Sequence, residues 1–158
     1  MSGTLVVGYL LSGCMSRPPE RGGQSRDDAT AALEALGFTD VYVDLYDRQI
    51  GLQSSSSTRV YVSLPEGATV RDPATLADFL FRTAWSVNGH EPNDSINLGL
   101  DGSLASSDWV QISTDAGLKL SNSVSPTIPR MSVPDAQAEF GDWPGEVPSL
   151  PPGVVNLP

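Results

Sequence analysis

Apolar positions recur along this chain with two different periods. From Asp72 to Asn88, DPATLADFLFRTAWSVN, the residues Leu76, Phe79, Leu80, Thr83, Ala84 and Val87 fall at i, i+3, i+4, i+7, i+8 and i+11. That is one continuous stripe along a helix. Asp72 suits the N-cap, and Pro73 suits the first helical position, where its missing N–H costs nothing. Asn88-Gly89 is the expected stop. A shorter helix is predicted upstream. Ser25-Arg26-Asp27-Asp28 reads as a capping box with Asp at the fourth position, and Ala29, Ala32, Leu33 and Leu36 follow at helical spacing up to Gly37. Phe38 is placed for the hydrophobic contact that accompanies such an ending.

Elsewhere the period is two. Thr39 to Asp47 sets Val41, Val43 and Leu45 on one face and Tyr42, Asp44 and Tyr46 on the other. Thr58 to Leu64 sets Val60, Val62 and Leu64 against Arg59, Tyr61 and Ser63. Between them, Gly51 and the run Ser54 to Ser57 read as a hairpin connection or a longer loop. After the long helix, Ile96, Leu98 and Leu100 share a face of SINLGL, and Asp101-Gly102 is a turn pair. In Asp108 to Ser113, DWVQIS, Val110 and Ile112 oppose Trp109 and Gln111, the pattern of a fourth strand.

The order is helix, strand, strand, helix, strand, strand. Amphipathic strands imply a sheet with one face covered and the other open. The predicted fold class is α+β: a two-layer sandwich with a mostly antiparallel four-stranded sheet and two helices on one face. A split βαβ, ferredoxin-like arrangement is the nearest familiar relative, although a strand before the first helix is not evident. Asp115 to Arg130 is polar and weakly patterned, with a short strand offered by Leu118 to Leu120. Ser132 to Phe140 reads as a capped helix ending at Gly141, and residues 142–158 as a Pro-rich extended tail in which Trp143 is the large apolar residue available to dock.

The first residues differ from all of this. Residues 5–14 read LVVGYLLSGC, too short to span a bilayer but of the length of a signal-peptide apolar region. Leu11-Ser12-Gly13-Cys14 resembles the lipobox of bacterial lipoproteins. The resemblance implies cleavage before Cys14, lipid on its thiol, and a mature protein on the outer face of the cytoplasmic membrane. Met15 to Gln24 is polar and rich in Gly and Pro, as a tether would be. The layout is then residues 1–13 as signal peptide, 14–24 as tether, 25–141 as the α+β domain and 142–158 as tail. Met1 to Thr4 lacks the Lys or Arg that signal peptides carry. The other reading of these residues is a buried strand over residues 4–11, with Cys14 a small core hydrophobe.

Charge narrows the partners. A net charge of −10 and a pI near 4.2 exclude a phosphate-gripping nucleic-acid binder and an electrostatic hold on anionic lipid. With one cysteine there is no intrachain disulfide. His90, the sole histidine, sits in NGHEPND beside Glu91 and Asp94. No nucleophile is tied to it by motif, and the spacing matches neither a zinc site nor a calcium loop, so an exposed loop histidine is the expectation. No phosphate loop, dinucleotide fingerprint or G-x-S-x-G is present. We therefore expect no catalytic residues, no metal and no cofactor.

Two aromatic sets remain. Tyr42, Tyr46, Tyr61 and Trp109 are expected to share the open sheet face, as a partner surface or as ordinary cross-strand pairs. Phe81 and Trp85 lie at i, i+4 off the main stripe, for core packing or for an exposed binding patch. With the lipobox, the chain resembles a small envelope lipoprotein of the actinobacterial type. That implies a non-enzymatic binding module or an accessory subunit of a membrane protein complex, with a protein partner. The alternatives are a small acidic cytoplasmic binding or inhibitor protein of the immunity type, and a hydrolase with an unsignalled site.

Overall fold

The computed structural model describes residues 22–101, 109–121 and 128–158. Cys14 and the apolar run at residues 5–11, on which the lipobox and buried-strand readings rest, lie outside the described residues.

The chain order is α1 (Arg26–Ala35), β1 (Thr39–Ile50), β2 (Gln53–Ser63), β3 (Thr69–Val70), α2 (Pro73–Ser86), β4 (Ser95–Asp101), α3 (Trp109–Asp115), β5 (Arg130–Ser132), α4 (Val133–Phe140) and β6 (Val155–Asn156). The fold is α+β. A mixed four-stranded sheet runs in the order β1-β2-β4-β5, with β1–β2 and β4–β5 antiparallel and β2–β4 parallel. The parallel pair follows from connectivity. The chain leaves β2, crosses through α2 and returns beside β2 in the same direction, as a crossover helix requires.

Caps set the helix starts where the sequence places them. Ser25, Asp72 and Ser132 each accept from the backbone N–H three residues on. At the end of α1, Gly37 takes φ 90° and bonds to Glu34, while the Phe38 N–H reaches Leu33. This is the paired-bond ending that a glycine permits. The end of α2 is decided by a tertiary contact. Gln24 donates its N–H to the Ser86 carbonyl and accepts from the Asn88 N–H, so Val87 is pulled into an extended bridge and the helix stops before Asn88-Gly89.

The core lies between the helices and one sheet face. Val43, Val60, Val62, Ile96, Leu98 and Met131 are buried against Leu76, Phe79, Leu80, Phe81, Ala84 and Trp85 of α2 and against Ala29 and Leu33 of α1. Trp85 and Phe81 are at most 1% exposed. Burying side chains of this size is worth about 2–3 kcal/mol each, so α2 dominates the stability of the layer.

Three elements differ from expectation. DWVQIS is not a strand: Trp109–Asp115 is α3, packed on α2. Its apolar residues satisfy either period over so short a stretch, and burial of Trp109 and Ser113 at i, i+4 selects the helix. The fourth strand is instead Arg130–Ser132, three residues hidden in polar sequence and recruited by pairing to β4. The serine run 54–57 is not a loop. It belongs to β2, and the hairpin turns on Gly51-Leu52 alone, with Gly51 at φ 63°. Leu118 is buried, but residues 118–120 form no strand pairing among the described residues.

The Pro-rich tail, expected to be extended, contains bends and a turn and is fastened to the domain. The Trp85 indole donates to the Gly141 carbonyl at 3.0 Å, and the Gly145 N–H donates to the Trp85 carbonyl at 3.2 Å. A side chain at Gly145 would collide with the Trp85 ring. Val154 is buried, the Arg71 N–H bonds to its carbonyl, and β6 pairs with β3.

Candidate functional site

Sheet register lays out the open face in lateral rows. Tyr42, Tyr61 and Gly99 form one row. Asp44, Arg59, Asn97 and Arg130 form the next, and Tyr46, Ser57, Ser95 and Ser132 a third. Each strand's opposite parity feeds the core, so burial of Val43, Val60, Val62, Ile96 and Leu98 fixes which residues look outward.

On β1 and β2 this face is open to solvent. Tyr42 is 54% exposed and Tyr46 46%. Tyr61 is half-buried. Its ring lies over Gly99, where an added Cβ would sit 2.4 Å from Tyr61 Cδ2, and its hydroxyl donates to Asp101 at 3.0 Å. The Arg59 guanidinium lies 5.8 Å from the centre of the Tyr46 ring, within cation–π range. Arg59, Tyr61, Gly99, Asp101 and Ile128 line a shallow cavity of about 370 Å³. Bond geometry thus holds Tyr61, while Tyr42 and Tyr46 leave about half of their surface to solvent.

Toward the hairpin tip the same face becomes a polar network. Asp94 pairs with Arg130 and accepts from Ser55 at 2.9 Å and Ser57 at 3.3 Å. Ser57 and Ser95 share a hydrogen bond of 3.1 Å, and Asn97 donates to Ser95. The Ser56 N–H donates to the Asn93 side chain, and the Ser56 hydroxyl accepts from the Asn93 N–H. These bonds satisfy the serine run and splice β2 to the loop before β4. Sequence reasoning missed Arg59 and Arg130. Their signal was Arg59 at alternate spacing with Tyr61; Arg130 had none, because its strand was not legible.

The remaining candidates separate. Trp109 is buried in α3 and does not share the open face. Phe81 and Trp85 are in the core, Trp85 beneath the tail, so neither forms an exposed patch. His90 is exposed in its turn, as is Glu91, while Asp94 is committed to Arg130 and the serines. Among the described residues no three His, Cys, Asp or Glu side chains come together to hold a metal, and no helix is long and apolar enough to cross a membrane. One carboxyl has a displaced titration: hydrogen bonds from the Thr75 hydroxyl and backbone hold Asp72 below its ordinary value, which is the effect of its capping role.

Against protein-family models, curated proteins and solved structures, nothing matches this chain.

Proposed function

We propose that this chain is a non-enzymatic envelope lipoprotein, anchored through lipid at Cys14, whose open sheet face binds a protein partner, as a binding module or an accessory subunit of a membrane complex. The observation that carries the binding reading is the pair Tyr42 and Tyr46, about half exposed on rigid paired strands with Arg59 beside them. Tyr and Arg are the residue types that dominate protein interfaces, since they combine large apolar contact with directional hydrogen bonding. Strands hold such groups with little freedom to lose on binding. The attachment point agrees with this use. The upstream chain joins the domain at Gln24, which is locked to the end of α2 on the helix layer. That layer is on the opposite side of the sheet from the tyrosines.

The test has two arms in the native host. Intact mass of the membrane fraction reads Cys14: loss of residues 1–13 with a lipid-sized gain, abolished by Cys14→Ala, is expected. A photo-crosslinking amino acid at position 46 is expected to give one discrete adduct, of a mass other than twice that of the chain, that weakens with Tyr42→Ala, and none from the exposed position 137 on α4. An unmodified chain retaining residues 1–13 overturns the anchor and returns the cytoplasmic inhibitor reading. Equal labelling from positions 46 and 137 overturns the tyrosine surface.

A further inference from the structure

Among the described residues, the outer edge of β1 carries a row of backbone groups that no strand pairs. Twelve residues long, β1 ends the sheet, and β2 is its strand partner among the described residues. The bonding directions follow from β2. Leu64, just past that strand, donates to the Asp101 carbonyl, and the Ser56 carbonyl accepts from Asn93 and Asp94. Even-numbered residues of β2 therefore bond toward β4, and odd-numbered ones toward β1. Their opposites Tyr42, Asp44, Tyr46 and Arg48 bond inward. The N–H and C=O groups of Val41, Val43, Leu45, Asp47 and Gln49 point outward, a row of donors and acceptors ready for another strand.

We propose that this edge pairs with β1 of a second copy of the chain, antiparallel about a two-fold axis at Tyr46, to make a continuous eight-stranded sheet. Three constraints select the register. To keep open face with open face and core face with core face, a residue must oppose one of its own parity. Centring on Asp44 or on Asp47 would set like carboxylates against each other. Centring on Leu45 leaves Asp44 and Arg48 each opposite a tyrosine. With Tyr46 at the axis, Asp44 meets the partner's Arg48 on both sides, and Tyr46 meets the partner's Tyr46. These are non-hydrogen-bonded positions, where facing side chains come closest. Arg48 is exposed, and among the described residues no ion pair joins Asp44 or Arg48 to another side chain. The pairing would also join the tyrosine faces of the two copies into one surface. It stands independently of lipid at Cys14 and of any other partner.

The test is sedimentation equilibrium of the full chain under reducing conditions, so that Cys14 cannot cross-link copies. A reversible dimer is expected. Arg48→Asp or Asp44→Arg alone should weaken it by about tenfold through like-charge contacts, and the double exchange should return it to within about threefold of the original. Asp47→Pro removes an outward N–H that β2 does not use, and should also abolish the dimer while circular dichroism shows the fold intact. A full chain that stays monomeric overturns the proposal. So does a dimer indifferent to both single exchanges and to Asp47→Pro.

Discussion

On the sheet face beneath the helices, Val43, Val60, Val62, Ile96, Leu98 and Met131 are buried, with the hydroxyl-bearing Thr58 among them. On the opposite face of the same strands stand Tyr42, Tyr46, Tyr61, Arg59, Asn97 and Arg130. The two sets alternate residue by residue, so backbone, propensity and pairing are common to both. What differs is what each must satisfy. The inner set must fill space left by α2, and its chemistry is answered by the fold. The outer set near β1 fills no space in the domain, so a large aromatic surface there is available to something outside it. Toward β5 the outer face changes character again, because Asp94, Arg130 and the serines bond to one another and are answered by the fold after all.

The contrast is sharpest in stability. Trp85→Ala removes a buried ring that also fastens the tail, and should lower unfolding free energy by about 3–5 kcal/mol in denaturant titration. Asp94→Ala strips partners from Arg130, Ser55 and Ser57 on the outer face. With both ion-pair members about one-third exposed, a loss of about 1–2 kcal/mol is expected. Thr58→Val reverses the sign. Its Oγ1 is buried without a hydrogen-bond partner among the described residues, so replacing the hydroxyl with a methyl should stabilise the domain by about 1 kcal/mol. Tyr46→Ala should change stability by no more than about 0.5 kcal/mol in the same titration. A cost comparable to that of Trp85→Ala would mean that the outer tyrosines belong to the core, and the distinction between the faces would fail.

The smallest effect lies outside the sheet, at the start of α2. Asp72 titrates below its ordinary value of 3.8 because Thr75 donates to its charged form. A group lowered in the folded state stabilises above its unfolded value and loses that contribution as pH falls through the folded one. The melting-temperature difference between the native chain and Asp72→Asn should therefore be constant near neutrality and shrink in acid below 3.8. A difference independent of pH would assign the cap to geometry without charge.

Local pattern revealed most of the scaffold. The stripe from Leu76 to Val87, the caps at Ser25, Asp72 and Ser132, and the alternation around Val43, Val60 and Leu98 each depend on neighbours a few residues away. They are legible for that reason. The tyrosine face at Tyr42, Tyr46 and Tyr61 was legible too, since parity on a strand fixes the face once the apolar set is known. Trp109 was misplaced because six residues cannot distinguish a period of two from one of 3.6: a strand would bury Val110 and Ile112 and leave the ring on the open face, whereas the helix buries the ring. Ser54 to Ser57 read as loop because serine has no preference for strands; Asn93 and Asp94, almost forty residues later, supply the hydrogen bonds that hold them there.

By itself, the sequence determined the starts of α1, α2 and α4, the two-faced strands, the net acidic charge and the α+β class, all consequences of short-range spacing and side-chain type. Tertiary structure alone decided the parallel seam between β2 and β4, the recruitment of Arg130–Ser132 as the last strand, the stop of α2 at Gln24 and the fastening of the tail over Trp85. Each of these is a bond between groups far apart in the chain, and its strength depends on what else is buried beside it, which no local pattern encodes.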